Sequence, residues 1–146
     1  MTSTASLPPP SLLDTDIFSE FLRGRNPNVA AKAVAYEATY GHFTISAATV
    51  MEAVSGWQQR GPQVRVDELL RRLVGWVVLA VDADVAALAG RMHGDLLRTG
   101  RTSGVADPLI AATANHHNLV LVTGNTAHYQ PLQALGYTLQ LDNWRT

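Results

Sequence analysis

The sequence predicts an α/β fold: a three-layer α/β/α sandwich around a mainly parallel sheet. Three observations predict it. Short apolar runs of strand length alternate with longer segments whose apolar residues recur at helical spacing. The run Leu119-Val120-Leu121-Val122 is apolar at every position, as a strand covered on both faces requires. No repeat or linker interrupts 136 residues from 11 to 146, so they are expected to form one domain behind a flexible lead of residues 1–10.

The lead MTSTASLPPP has neither a basic start nor a long apolar stretch, so it does not resemble a secretory signal. Its three prolines favour an extended approach to the first strand. Leu12 and Leu13 form that strand and end at Asp14; Ile17, Phe18, Phe21 and Leu22 then mark a helix that stops at Gly24. Pro27 to Tyr40 is alanine-rich and helical, with Gly41 as its stop. His42 to Ser46 is a second strand, and Ala47 to Arg60 a helix closed by Gly61-Pro62. Val66, Leu69, Leu70 and Leu73 line one face of a further helix over 64–74.

Trp76 to Leu79 reads as the third strand. Val85 to Leu97 is helical, with Asp82 and Asp84 as its N-terminal acids. After a loop from Gly100 to Gly104, Asp107-Pro108 has the form of an N-cap followed by proline at the first helical position. Leu119 to Val122 is the fourth strand, and Tyr137 to Leu141 is expected to add a last one. Trp76 is assigned to the core, Trp57 with Gln58, Gln59 and Arg60 to a substrate or partner surface, and Trp144 to neither.

The absence of cysteine excludes disulfides, a thiolate nucleophile and cysteine zinc sites, so any metal must be held by oxygen or imidazole. No apolar run reaches the roughly 20 residues of a membrane span, and a soluble cytoplasmic protein is expected. A net charge of −1 excludes a globally basic nucleic-acid binder. Ten of the eleven basic residues are arginine, suited to local phosphate contacts. The common nucleotide-binding glycine loops do not occur. An aspartyl-phosphate phosphohydrolase would suit Asp14-Thr15-Asp16, but it needs a lysine after the later threonine, and the single lysine is Lys32.

Three acids stand where ligands of open α/β sheets bind, beyond the carboxyl ends of the strands. Asp14 follows the first strand, Glu52 lies in the helix after the second, and Asp107 opens the helix before the fourth. Each has a structural reading as well: Asp14 or Asp16 as a cap, Thr49 and Glu52 as a capping box, Asp107 as an N-cap. Ser46 is the better cap for its helix, which leaves Glu52 within the helix and without a capping role.

The segments LLDTDIFSEFLRG, TISAATVMEAVSGW, GVADPLIAATANHHNLVLVTGN and AHYQPLQALGY resemble the PIN-domain ribonucleases, specifically the VapC-type toxins of toxin–antitoxin pairs. The resemblance implies an Mg²⁺-dependent endoribonuclease, with Mn²⁺ as an alternative ion, whose metal-binding acids are Asp14, Glu52 and Asp107. It also implies a homodimer and a cognate VapB-type antitoxin that covers the site. Asn125 and His128 stand where further acids are expected, so one cation rather than two is predicted. Asp16, Thr123, Asn125 and His128 are auxiliary candidates, and Arg23, Arg25 and Arg101 are candidates for RNA contact. The neutral Asn125 and His128 leave open an alternative, a PIN-like RNA- or protein-binding module with little turnover.

Overall fold

The computed structural model describes residues 6–101 and 104–146; the second half of the lead is included, but its first five residues, and Thr102 and Ser103 of the loop expected at 100–104, lie outside it. Among the described residues five strands, β1 (Ser11–Leu13), β2 (Thr44–Ser46), β3 (Val77–Leu79), β4 (Val120–Val122) and β5 (Leu141–Asp142), are interspersed with seven α-helices. These are α1 (Thr15–Arg23), α2 (Pro27–Tyr40), α3 (Ala47–Arg60), α4 (Gln63–Arg72), α5 (Ala83–Arg98), α6 (Ala106–His116) and α7 (Gln130–Ala134). Every strand pairing is parallel: β1 with β4, β4 with β5, and β2 with β3. β1 and β2 lie side by side where the two ladders meet.

Because successive strand residues point to opposite faces, β1 and β4 divide their side chains between two cores. Leu12 and Leu121 pack with Val85, Met92, Ile110 and Leu132 from α5, α6 and α7. Leu13 and Val122 pack with Ile17, Phe18, Val29 and Tyr36 from α1 and α2, and with Trp144. Helices therefore cover both faces, which is the expected three-layer α/β/α arrangement. Trp144 is buried, and Trp76 lies against Phe18, Phe21 and Phe43 as a core residue. No helix among the described residues is long and apolar enough to cross a membrane.

Local chemistry sets the helix starts. The side chains of Asp14, Asn26, Ser46 and Asp82 each accept a backbone N–H in the first turn of the following helix. α2 ends at Gly41, whose φ of +76° is the left-handed conformation that favours glycine. Ser46 as the cap of α3 excludes the Thr49–Glu52 capping box.

Two expectations shift. The chain enters α6 one residue before Asp107: Val105 occupies the cap position with no side-chain bond, and Asp107 lies in the first turn. Asp107 is therefore not an N-cap. The last strand is Leu141–Asp142 rather than Tyr137–Leu141. Residues 137–139 are held sideways, by the Tyr137 hydroxyl donating to Asp95 of α5 and by Gln133 of α7 donating to the Leu139 carbonyl, so ladder bonding begins only at Gln140.

Candidate active site

The parallel register of β1 and β4 builds the centre of the site. Leu13 pairs with Val122, and the Asp14 N–H extends the ladder to the Val122 carbonyl at 2.8 Å, so the next residues, Asp14 and Thr123, stand beside each other. The buried Thr123 hydroxyl donates to Asp14 Oδ2 at 2.9 Å and accepts from the Asn125 N–H at 3.1 Å. Asp14 Oδ1 accepts from the Thr15 N–H at 2.8 Å. The same carboxylate thus caps α1 and faces the site.

A residue with no motif or periodicity to single it out joins the two most distant acids. Tyr129 follows a 3-10 turn over Thr126–His128 and is 1% exposed, and its hydroxyl donates to Asp14 Oδ2 at 2.9 Å. It also stands 3.4 Å from Asp107 Oδ1. A buried tyrosine needs a partner for its hydroxyl, the only general signal that pointed to it. Burial and the charges of Asp14 and Asp107 drive its pKa upward, so it remains a proton donor.

Glu52 reaches this centre through α1. Thr49 and Glu52, three residues apart on α3, face the same side, where the Thr15 hydroxyl donates to Glu52 Oε1 at 2.6 Å and lies 3.1 Å from Thr49 Oγ1. Asp16 accepts from the Ile17 N–H at 2.7 Å and the Gly124 N–H at 2.9 Å. Arg145, also without a signal in the sequence, places its guanidinium 3.8 Å from Asp16 and 3.7 Å from Glu20. It lies so close over Gly124 that a Cβ there would stand 2.3 Å from Nη1. The His128 imidazole is 3.6 Å from Asp107 Oδ2 and largely exposed. The Asn125 side chain points to no described partner in the site.

Burial raises the Asp14 pKa from 3.8 to about 6, with the charge of Asp16 adding to the effect and the bonds from Thr123, Thr15 and Tyr129 opposing it. Among the described residues, no three carboxylates or imidazoles converge tightly enough to enclose an ion by themselves. The donor set nonetheless suits a hard cation, since Mg²⁺ commonly uses one or two carboxylates and keeps several waters. Asp14 and Asp107, joined at one hydroxyl, could supply the two, and Glu52 stands behind the Thr15 hydroxyl. Of the arginine candidates, Arg23 and Arg25 line a groove that also reaches Thr15 and Glu52, whereas Arg101 is exposed after α5 and not among its lining residues.

The family model for the PIN domain matches residues 11–131. The chain belongs to the PIN domain family. This PIN domain is 28% identical over 125 residues to the tRNA(fMet)-specific endonuclease VapC of Shigella flexneri, covering 85% of this chain and 92% of that one. It is 29% identical over 125 residues to toxin FitB of Neisseria gonorrhoeae, covering 81% and 89% of the two chains. Among solved structures it resembles the FitAcB structure from the same organism, at 27% identity and a TM-score of 0.70 over 91% of this chain and 96% of that one. The fold is shared with VapBC2 of Rickettsia felis, at 21% identity and a TM-score of 0.73 over 92% of this chain and 98% of that one.

Proposed function

We propose that this PIN domain is an endoribonuclease toxin of the VapC type that hydrolyses RNA phosphodiesters at one divalent cation, Mg²⁺ or Mn²⁺. The observation that carries the reading is the meeting of Asp14 and Asp107, 93 positions apart in the chain, on the hydroxyl of Tyr129 at the carboxyl end of the sheet. A bound divalent cation supplies an acidified water and a counter-charge for the phosphoryl oxygens.

The chain's own residues supply the rest. Asp14 and Asp107 would hold the cation, Thr123 and Tyr129 orient Asp14, and Glu52, expected from the sequence as a third ligand but set back behind Thr15, would accept a proton from the attacking water. Asp16 fixes the backbone at Gly124, which keeps Thr123 in register with Asp14. Arg23 and Arg25 meet RNA phosphates beside Glu52. A VapB-type antitoxin inhibits the enzyme by covering the acids, and the active form is a homodimer.

The test is incubation of the purified protein with labelled RNA in Mg²⁺, Mn²⁺ or EDTA, beside Asp14→Asn and Asp107→Asn. Cleavage is expected only with a divalent ion and is lost in both variants. Cleavage that survives chelation and both substitutions would remove the metal mechanism. A second reading, a binding module without turnover, is favoured by the solvent-facing Asn125 and His128 in place of acids. It predicts that RNA is bound but left intact by wild-type protein in either metal.

A further inference from the structure

A groove of about 460 Å³ opens between α1, α3 and α4 beside Thr15 and Glu52. Five of the chain's eleven basic residues line it: Arg23, Arg25, Arg60, Arg65 and Arg72. Only Glu52 and Glu68 oppose them within the lining, so a strongly cationic surface stands in a chain whose net charge is −1. Arg23 pairs with Glu20 at 3.0 Å and Arg65 with Glu68 at 3.5 Å, both exposed i,i+3 pairs that a stronger anion can replace. Among the described residues, Arg25 and Arg60 form no ion pair with a carboxylate.

Trp57 forms part of the wall. The guanidinium carbon of Arg60 lies 5.0 Å from its ring centroid and that of Arg65 lies 5.9 Å away. An indole face covered by two guanidiniums is a stacking surface whose present occupants are easily exchanged, because exposed cation–π contacts are weaker than base–aromatic stacking.

We infer that this groove carries single-stranded RNA away from the acidic centre, with one unpaired base stacked on Trp57 and Arg60 and Arg65 released onto the flanking phosphates. The inference rests on the endoribonuclease reading and deepens it by assigning a substrate subsite. Both requirements of unpaired RNA are met together: a planar apolar face for a base and a surplus of planar cations for the backbone. An acidic peptide would satisfy the arginines without using the indole. A duplex keeps its bases stacked on one another and offers none to Trp57.

The test uses the full-length protein and a fluorescein-labelled, mixed-sequence 12-nucleotide RNA. Binding is followed by anisotropy in EDTA, where cleavage is suppressed, across a salt series. Trp57→Ala is expected to weaken binding at least tenfold, within the roughly 5- to 150-fold span of a lost base stack, while Trp57→Phe retains most of it. Arg60→Ala combined with Arg65→Ala is expected to reduce the slope of log affinity against log salt by about 0.7 for each phosphate no longer neutralised, an effect that mere loss of packing does not produce. With a cleavable RNA in Mg²⁺, the same double variant raises KM and leaves kcat within about twofold.

An unchanged salt slope and KM in the folded double variant, or equal binding of duplex and single strand, would overturn the assignment. So would loss of binding to a co-expressed antitoxin with RNA affinity intact, which would give the groove to a protein partner. Asp107→Asn separates the two proposals, since it abolishes cleavage yet keeps oligonucleotide affinity in EDTA within about threefold. Groove variants that lose RNA binding in a protein that never cleaves would sustain the subsite and refute the nuclease.

Discussion

Replacing Asp14 by asparagine is expected to destroy nuclease activity and, without metal, to remove a loss of stability that the wild type suffers as pH rises from about 4 to about 7.5. Asp14 is buried, 8% exposed as a residue, and its pKa rises from 3.8 to about 6 on folding. The folded state therefore holds this proton more tightly than the unfolded chain, and ionisation of Asp14 costs stability as pH rises through that window. The full cost above pH 6 is about 3 kcal/mol, from about 1.4 kcal/mol per pH unit of displacement. Between pH 4 and pH 7.5 the linkage realises about 2 kcal/mol of it, because at pH 4 part of the unfolded population is already ionised. Asparagine has no such ionisation, and its pH-independent hydrogen-bond losses cancel when the two pH values are compared. Urea denaturation of both proteins in EDTA at each pH gives the double difference. Asp14→Asn should gain about 2 kcal/mol on wild type between pH 4 and pH 7.5, or roughly 4–8 °C in melting temperature. A double difference near zero, or one of opposite sign, would refute the account of Asp14 as a carboxylate ionised against the cost of burial.

Tyr129→Phe removes the proton donor between Asp14 and Asp107, and loss of such an outer partner is expected to weaken Mn²⁺ binding roughly 10- to 100-fold in a titration followed by electron paramagnetic resonance; unchanged affinity would reduce Tyr129 to a packing residue. Mn²⁺ affinity of the wild type should fall about tenfold per pH unit below about 6, where protons compete for Asp14, and level off above pH 7; a flat profile from pH 5 to 7 would exclude Asp14 as a ligand. Gly124→Ala should displace both the Arg145 guanidinium and Asp16 Oδ2, which a Cβ would meet at 2.3 and 2.7 Å, and cost about 1 kcal/mol, part of which disappears in the Arg145→Ala background and the rest on adding Asp16→Ala; an undiminished cost in both backgrounds, measured by chemical denaturation, would place the strain in the backbone.

Legibility in the sequence followed the range of the interactions. Asp14, Ser46 and Asp82 cap their helices as local chemistry dictates, and the apolar runs mark β1, β3 and β4 to within a residue and β2 to within two. Asp-Pro is a strong N-cap signature and points to Asp107 as a cap, yet the chain turns into α6 one residue earlier. The difference matters chemically. A capping Asp107 would commit an oxygen to its own helix, whereas in the first turn its carboxylate meets Tyr129 and His128. Tyr129 and Arg145 left no periodic or capping signal, because their partners lie 115 and 129 positions away, at Asp14 and Asp16. β5 was displaced for a related reason: side-chain bonds from α5 and α7 compete with the ladder for residues 137–139.

The atoms that weaken this fold are the ones the proposed chemistry needs. Asp14, Asp16 and Asp107 gather at one end of the sheet, and the basic side chains nearest to them, the Arg145 guanidinium beside Asp16 and the His128 imidazole beside Asp107, stand 3.8 and 3.6 Å away on the exposed side. The inner side is held instead by neutral donors, the Thr123 and Tyr129 hydroxyls, which orient Asp14 without cancelling its charge. Had an arginine taken Tyr129's place, it would have neutralised the pair and lowered the Asp14 pKa, yielding a more stable domain with little affinity for a divalent ion. A neutral donor leaves the charge deficit standing, and a hard cation is the partner best suited to fill it. That division, with neutral hydrogen bonds inside and guanidiniums confined to the rim and the neighbouring groove, separates the site from an ordinary ion-paired helix terminus.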